Sequence, residues 1–303
     1  LTLNRIKVAS IGTLGVTGLK VKKNFSNTTF DTIQINKILK KLKERRIENV
    51  ILEASSHGLN QNRLDGLKFD IGIFTNLSRD HLDYHRSYKN YLNSKLILFK
   101  KLLKKKSYAI FDDDLKISSN LNRITKSNKI EKFTIGNNKS SFTVLEQQFL
   151  KDEQNIIFRF DKKEYSFSTK LIGRVQIKNL LMAIMAAIKS KIPLEKILKI
   201  TQKIKPVNGR LEKIGRLYNN GIIILDYAHT PDALRTCIKN VKEQFKLRKI
   251  NLVFGCGGER DKPKRKIMGI IADKYCDKIY LTDDNPRSED PRKIRRDIKS
   301  NIS

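Results

Sequence analysis

Two stretches decide the fold, Val50-Ile-Leu-Glu-Ala-Ser-Ser-His-Gly58 and Ile71-Gly-Ile-Phe-Thr-Asn-Leu-Ser-Arg-Asp-His81. In each, a short apolar run stops at a polar cluster. Val50 to Leu52 gives way to Glu53 through Gly58, and Ile71 to Phe74 gives way to Thr75 through His81. Runs this short and this apolar predict buried strands. Upstream, Thr32 to Arg46 carries Ile33, Ile35, Ile38, Leu39 and Leu42 at helical spacing. Helix followed by short strand is the pattern of a parallel α/β sheet. Ligands of such sheets gather at the carboxyl ends of the strands, so both polar clusters are candidate binding loops.

Downstream of His81, Ser87 is placed as an N-cap, and a helix is predicted from it to about Lys104. With Leu92 at zero and about 100° per residue, Leu96, Phe99 and Leu103 fall within about 40° of it. Lys95 falls at about −60°, on the apolar side. Either its stem packs while its ammonium reaches out, or the lysine has a task there. Phe133 to Ile135, Phe142 to Leu145, Ile156 to Phe160 and Tyr165 to Ser168 predict short strands, with a hairpin turn at Asp161-Lys-Lys163. Asn179 to Ile188 is apolar all round, which predicts a tightly buried helix.

The pattern resets near Pro206 to Arg210. Three further runs end at polar loops: Ile222 to Leu225 before Asp226-Tyr-Ala-His-Thr-Pro-Asp232, Leu252 to Phe254 before Gly255-Cys-Gly-Gly-Glu-Arg-Asp261, and Ile279 to Thr282 before Asp283-Asp-Asn-Pro-Arg-Ser-Glu-Asp-Pro291. Pro231 suits the first turn of a helix. A second parallel α/β unit is predicted here. The chain is therefore expected to hold two domains, 1–205 and 206–303.

The composition narrows the class. The 303 residues carry a formal charge of +32, yet the hydrophobic share of 39% is enough for ordinary cores. The longest apolar stretch, Leu180 to Ile188, is far short of the roughly 18 residues of a membrane span. Cys237, Cys256 and Cys276 are odd in number and widely spaced, so neither a disulfide framework nor a metal quartet is expected. A soluble protein of the reducing cytoplasm fits. The positive charge comes in short scattered runs, such as Lys104 to Lys106, without a basic arm or an aromatic-studded RNA motif. That distribution reads as solvated lysine surface, not as a nucleic-acid footprint.

Chemistry concentrates at the strand ends. Glu53, Asp80, His81 and Asp83 could hold Mg²⁺, a hard cation that takes few protein ligands when substrate phosphates supply the rest. An ordinary capped loop is the competing reading. His57 lies in a Ser-Ser-His-Gly turn without the Gly-x-Ser-x-Gly elbow of a serine hydrolase. Arg63, Arg260 and Arg287 are candidate clamps for carboxylate or phosphate, because guanidinium offers a bidentate fork.

These strings resemble the Mur ligases. Glu53-Ala-Ser-Ser-His-Gly-Leu-Asn-Gln-Asn-Arg63, Phe74 to His85, Asp226 to Asp232 and the run from Gly255 to Pro291 carry the resemblance, which covers nearly the whole chain. It implies an α/β fold made of a parallel-sheet central ATPase domain and a partial Rossmann-like C-terminal domain. It implies an ATP-dependent amide ligase of peptidoglycan precursor synthesis, cytoplasmic and monomeric, with no specific nucleic acid and no membrane. In the branch it resembles best, meso-diaminopimelate is added to UDP-N-acetylmuramoyl-L-alanyl-D-glutamate through an acyl phosphate.

The resemblance also implies roles for residues. Glu53, His81 and Lys95, the last as a carbamate, match the catalytic group that holds two Mg²⁺ ions. Asn27, Thr28, Thr29, Ser55 and Arg63 match contacts to the UDP-muramoyl dipeptide, with Phe30 standing where a proline is usual. Asn179, Arg210, Asp226 and His229 match positions at ATP. Arg260, Asn285 and Arg287 match the amino-acid pocket, where Arg287 would clamp the distal carboxylate that lysine lacks.

One departure is large. The family's Gly-Lys-Thr/Ser phosphate loop, its small uridine-binding domain and its final Gly-His-Glu element have no counterpart in this sequence. Gly12-Thr-Leu-Gly-Val-Thr-Gly18 matches the segment downstream of that loop. An internal fragment, inactive alone, is the expectation. The alternatives are a folylpolyglutamate or cyanophycin synthetase type of ligase on the same fold, and a basic nucleic-acid-binding protein. The Ser-Ser-His-Gly-Leu and Asp-Asn-Pro-Arg strings weigh against the first.

Overall fold

A computed structural model describes residues 1–19, 27–136, 140–259 and 261–302. The first half is built on two sheets. Strand β1 (Val8–Gly12) sits between β2 (Gly15–Val16), antiparallel to it, and β3 (Asn49–Leu52), parallel to it. Helix α1 (Thr32–Glu44) makes the crossover. Asp31 caps it by accepting from Gln34 N at 2.8 Å, and Lys41 and Lys43 occupy the last turn, where the helix dipole favours cations. Its Ile35 and Leu42 pack with Ala9, Ile11 and Leu59. Phe30, 1% exposed, belongs to the same core.

Helix α2 (Ser56–Asn60) leads to β4 (Phe69–Phe74), the first strand of a six-stranded sheet. Helices α3 (Leu82–His85) and α4 (Tyr88–Ile97) follow, and a π-helical turn, Leu98–Leu102, extends α4. Ser87 caps α4 from the predicted position, accepting from Asn90 N at 3.2 Å. Leu96 and Phe99 are buried as the stripe required; Leu103 is buried too, but it opens the next strand, so the helical run stops at Leu102 and not near Lys104. The strand β5 (Leu103–Asp112) escaped the sequence reading, because the exposed Lys104 to Lys106 run interrupts its first half and burial becomes continuous only from Ala109 to Asp112. Strand β1 escaped as well.

Helix α5 (Ser118–Ser127) precedes β6 (Glu131–Gly136), and β4, β5 and β6 run parallel. Strands β7 (Phe142–Phe149), β8 (Gln154–Phe160) and β9 (Lys163–Thr169) extend the sheet as an antiparallel meander. The predicted hairpin joins β8 to β9 through Asp161 and Lys162, whose φ values of 49° and 61° suit a tight two-residue turn. Helix α6 (Gly173–Lys189) covers this sheet. Ile177, Leu181 and Met185, all nearly inaccessible, contribute roughly 1.5–3 kcal/mol each by burial. Helix α7 (Leu194–Leu198) closes the half.

In the second half, β10 (Glu212–Arg216) and β11 (Ile222–Leu225) form an antiparallel pair. The sequence predicted β11 in a parallel unit. Among the described residues, the short hairpin closed by Leu217 N to Gly221 O at 2.8 Å pairs it with its neighbour instead. Helix α8 (Pro231–Gln244) has Pro231 in its first turn and Thr230 as cap. Strands β12 (Asn251–Phe254) and β13 (Lys278–Leu281) are parallel, as expected, across helix α9 (Pro263–Tyr275). Helix α10 (Pro291–Lys299) packs Ile294 and Ile298 against Leu234, Ile238 and Met268. The three cysteines are free, and burial pushes the Cys237 thiol up to about 12. No described helix is long and apolar enough to cross a membrane.

The halves meet through buried amides. Asn240 of α8, 7% exposed, accepts from Val175 N at 3.1 Å, so a side chain from one half caps α6 of the other. Gly173, at φ +78°, makes this possible, since a Cβ there would overlap the Asn240 side chain. Gln244 donates to Leu150 O at 2.7 Å, and Arg174 pairs with Glu243 at 3.0 Å.

Between α2 and α4 lies a cluster of imidazoles. The His57 ring is 4.1 Å from Tyr84, 4.8 Å from His81 and 5.3 Å from His85. His85 is buried. Its Nε2 meets Ser56 Oγ at 3.0 Å and its Nδ1 meets Ser94 Oγ at 3.3 Å. Ser94 gives its hydroxyl proton to Asn90 O, so Nδ1 carries the imidazole proton and Ser56 donates to Nε2. The neutral ring is fully bonded. Burial, then the neighbouring His57, hold the His85 pKa below its ordinary 6.5.

Two outcomes follow from this packing. Gly173→Ala should lower the thermal midpoint through backbone strain of about 1–3 kcal/mol, and a calorimetric scan measures it. The depressed His85 fixes the sign of a pH effect. Above about pH 6.5 both folded and unfolded states hold a neutral ring; below it the unfolded chain takes up a proton that the fold resists. Stability should therefore fall as pH drops through 6.5 toward the folded value. Urea titrations at pH 7.5 and 5.5 should show a smaller loss in His85→Gln than in the unsubstituted protein.

Candidate functional site

The parallel pairing of β1 with β3 places Glu53. Its N–H donates to Ile11 O at 2.8 Å, so it leaves the sheet opposite Gly12 and Thr13. Thr13 N and Oγ1 both donate to Glu53 Oε2, at 2.8 and 2.9 Å. Having spent its proton, Thr13 Oγ1 accepts from Thr28 Oγ1 at 3.0 Å. Thr29 Oγ1 donates to Glu53 O at 2.7 Å and accepts from Ser55 N at 2.9 Å. Arg63 Nη1 donates to Thr29 O at 2.7 Å, and Nη2 to Gln61 Oε1 at 2.5 Å. The structure thus brings Glu53, Thr28, Thr29, Ser55 and Arg63 into one network. Asn27 stands next to it and is itself engaged. Ser55 doubles as the cap of α2, accepting from Gly58 N.

His81 follows β4 in a left-handed conformation, φ 53°. Its N–H donates to Asp80 Oδ1 at 2.8 Å and its Nε2 stands 3.5 Å from Asp80 Oδ2. Lys95 lies below, with Nζ 5.0 Å from the centre of the Tyr91 ring, and the same ring is 6.0 Å from His81. Burial lowers the Lys95 pKa, and the Asp80 charge opposes the shift in part. Burial, helped by Asp80, pushes the Tyr91 hydroxyl up to about 12. His81 and Lys95 are therefore brought together around Tyr91 and Asp80. Glu53 stands at the neighbouring strand end with no direct bond to either.

Magnesium suits these donors, as far as they go. Among the described residues Glu53 Oε1 has no hydrogen-bond partner while Oε2 is held by Thr13, and Asp80 and His81 are adjacent. Among the described residues no group of three His, Cys, Asp or Glu side chains forms a metal cage. A cation that relies on substrate oxygens and water for most of its shell needs no such cage.

The second half reaches the same place. His229 Nε2 is 3.9 Å from Asp80 Oδ2, and His229 Nδ1 meets Tyr227 O at 3.0 Å. The Arg210 guanidinium lies 4.7 Å from the Tyr227 ring centre, a cation–π distance. Gln176 of α6 donates to Arg210 O at 2.9 Å. Asp226 spends both oxygens on backbone, accepting from Leu211 N at 2.8 Å and Ala228 N at 2.9 Å. Its observed work is to fix the turn that carries His229. Asn179 is exposed on α6 beside Lys178, which pairs with Asp112.

Arg260 lies outside the described residues. Asn285 and Arg287 sit on the loop after β13 with φ values of 40° and 53°. Gly258 N donates to Asn285 O at 3.1 Å, and Arg287 Nη1 donates to Gly258 O at 2.5 Å. Only glycine fits at 258, where a Cβ would overlap Pro286 O. The loops after β12 and β13 are thereby laced together. Asp80, already placed with Glu53, His81 and Asp83 as a candidate cation group, stands beside His81, whereas Thr13 was missed as a partner of Glu53. Thr13 gains meaning only through the β1–β3 pairing.

Known proteins match both halves of the chain. Residues 2–187 match the Mur ligase middle domain, and residues 209–303 match the Mur ligase glutamate ligase domain. The UDP-N-acetylmuramoyl-L-alanyl-D-glutamate–2,6-diaminopimelate ligase of Rickettsia bellii (strain RML369-C) is 42% identical over 304 residues, covering 98% of this chain and 62% of that protein. A solved structure of a ligase of that name superposes with a TM-score of 0.71 at 30% identity, over 100% of this chain and 61% of that one. An FPGS–AMPPCP–folate complex, at 17% identity and a TM-score of 0.62 over 80% of this chain and 57% of that one, shares the fold alone. The chain thus spans 62% of the length of the curated relative it matches. With both domain types in tandem on one polypeptide, the chain belongs to the Mur ligase family.

Proposed function

We propose that this chain carries the reaction face of an ATP-dependent ligase that joins meso-diaminopimelate to UDP-N-acetylmuramoyl-L-alanyl-D-glutamate. The observation that carries the reading is the meeting of His229 with Asp80, beside His81 and above Lys95. It sets the candidate nucleotide residues of one half against the candidate cation residues of the other. In this reading residues 1–205 form the central ATP-binding domain and 206–303 the C-terminal domain, in a cytoplasmic protein acting as a monomer.

ATP would phosphorylate the terminal carboxylate of the muramoyl dipeptide. The amine of diaminopimelate would attack the carbonyl carbon of the acyl phosphate, and phosphate would leave. Glu53, His81 and carbamylated Lys95 would hold two Mg²⁺ ions. When bound, magnesium neutralises triphosphate oxygens and the charge of the transition state. Thr13 fixes Glu53 Oε2 and leaves Oε1 for that role. Burial supports the Lys95 assignment, since carbamylation needs a neutral amine and a lowered pKa increases the share of it. Asn27, Thr28, Thr29, Ser55 and Arg63 would receive the UDP-muramoyl dipeptide, and Asn179, Arg210, Asp226 and His229 the nucleotide. Arg260, Asn285 and Arg287 would receive the amino acid.

The test is ATP-dependent formation of the tripeptide product, with this chain and with this chain extended to the length of its relatives. Meso-diaminopimelate should be used at least tenfold better than L-lysine by kcat/KM. Equal use of lysine would remove the Arg287 clamp. Lys95→Ala should abolish ligation, and formate or acetate should restore part of it. Labelled bicarbonate should give a carbamate carbon signal in the unsubstituted protein and none in the variant; full activity in the variant would end the carbamate assignment.

A further inference from the structure

Arg265 of α9 is 1% exposed, the most deeply buried cation among the described residues of the second half. Nothing in the proposed reaction uses it. Its Nη1 donates to Glu289 Oε2 at 3.0 Å and to Asp297 Oδ2 at 2.9 Å, and its Nη2 donates to Glu289 Oε1 at 3.0 Å and to Gly257 O at 3.4 Å. Its Nε has no hydrogen-bond partner among the described residues. Burying a guanidinium with an unpaired N–H is costly. A well-packed apolar side chain would stabilise the fold as well or better, so stability alone is a weak account of it.

Two of its partners, Gly257 and Glu289, lie on the two loops of the amino-acid pocket, and the third, Asp297, lies on α10. Glu289, two residues beyond Arg287, also accepts from Glu259 N at 2.5 Å. Ser288 donates to the Glu259 carboxylate. One carboxylate thus ties α9, the loop after β12 and the loop after β13. With the Arg265 bond as the main cause and the Glu259 N–H second, the Glu289 carboxyl is held down to about 2. It stays ionised at any working pH. Arg287, by contrast, has no carboxylate partner among the described residues and gives one N–H to Gly258 O. An acid two residues away is occupied elsewhere, and the guanidinium beside it stays unneutralised.

We propose that Arg265, acting through Glu289, is a positioning residue: it orders the two pocket loops and keeps Arg287 available for the carboxylate of an incoming amino acid. The pocket's identity rests on the functional reading above; the ordering does not. A bidentate guanidinium–carboxylate pair fixes direction as well as distance, which a lysine or a neutral amide cannot do.

The experiment is hydrogen exchange, read by amide NMR, on this chain and on Glu289→Gln and Glu289→Asp. Asp297 remains on Arg265 in both variants, so the buried cation keeps a partner and the fold is retained. Glu289→Gln keeps size and loses charge; its Glu259 amide should exchange at least tenfold faster, with residues 255–259 and 283–290 shifted and α8 unchanged. Glu289→Asp keeps charge and should restore most of the protection. A packing role predicts the reverse order, Gln tolerated and Asp not, and that result would overturn the proposal. Unchanged exchange at Glu259 in Glu289→Gln would overturn it too. In the same samples meso-diaminopimelate is titrated, and Glu289→Gln should bind it at least tenfold more weakly than the unsubstituted chain does. Equal affinity would count against the positioning role. Absence of binding by the unsubstituted chain would count against the pocket's identity, and the exchange data would still decide the ordering.

Discussion

The site depends on how firmly one acidic residue is held. Glu53 is fixed at three points: its N–H by Ile11 O, its carbonyl by Thr29 and one carboxylate oxygen by Thr13. The first bond belongs to the sheet, the second to the segment before α1 and the third to the turn after β1. A carboxylate so restrained loses little further freedom on meeting a cation, and preorganisation of this kind is how a site avoids the cost of ordering at the moment of binding. The Thr29 bond also seats the Ser55 and Arg63 turn. The candidate substrate loop and the candidate cation ligand therefore share one scaffold.

Charge is distributed with the same economy. Acids are scarce in a chain with 31 of them against 63 bases. The acids in the ion pairs described are given structural tasks: Asp112 with Lys178, Asp152 with Lys213 and Arg216, Asp283 with Arg295, Glu289 with Arg265. Lys213 holds the Asp152 carboxyl below the usual carboxylate range. Most of the excess bases stand on exposed faces, where their summed field attracts anionic ligands without specifying any. The proposed points of specific recognition are among the few bases whose position is fixed by other contacts, Arg63 and Arg287.

The strand ends could be read from sequence because apolar runs that stop at polar clusters need only local information. The Ser87 cap and the Asp161–Lys162 turn are local too, and the structure bears them out. What was hidden is long-range. Strand β5 begins in a lysine run that only its pairing with β4 makes extended. Thr13 is an unremarked residue until β1 lies beside β3, forty positions away in sequence. Arg265 resembled one more surface base among many, and its burial follows from two carboxylates brought in from residues 24 and 32 positions later. The second half misled in another way. Runs that read as equivalent strands divide between a hairpin and a parallel pair, because a short loop let β10 reach β11 first.

The cap that Asn240 places on α6 also bears on how the molecule comes apart. The first turn of α6 borrows a hydrogen-bond acceptor from the other half, and Gln244 of the same helix α8 satisfies the carbonyl of Leu150 on the edge of the meander. If the halves separate, buried amides at the start of α6 and carbonyls beside β8 lose their partners at once. Opening of that seam would expose polar groups of both halves together, although each half has its own apolar core.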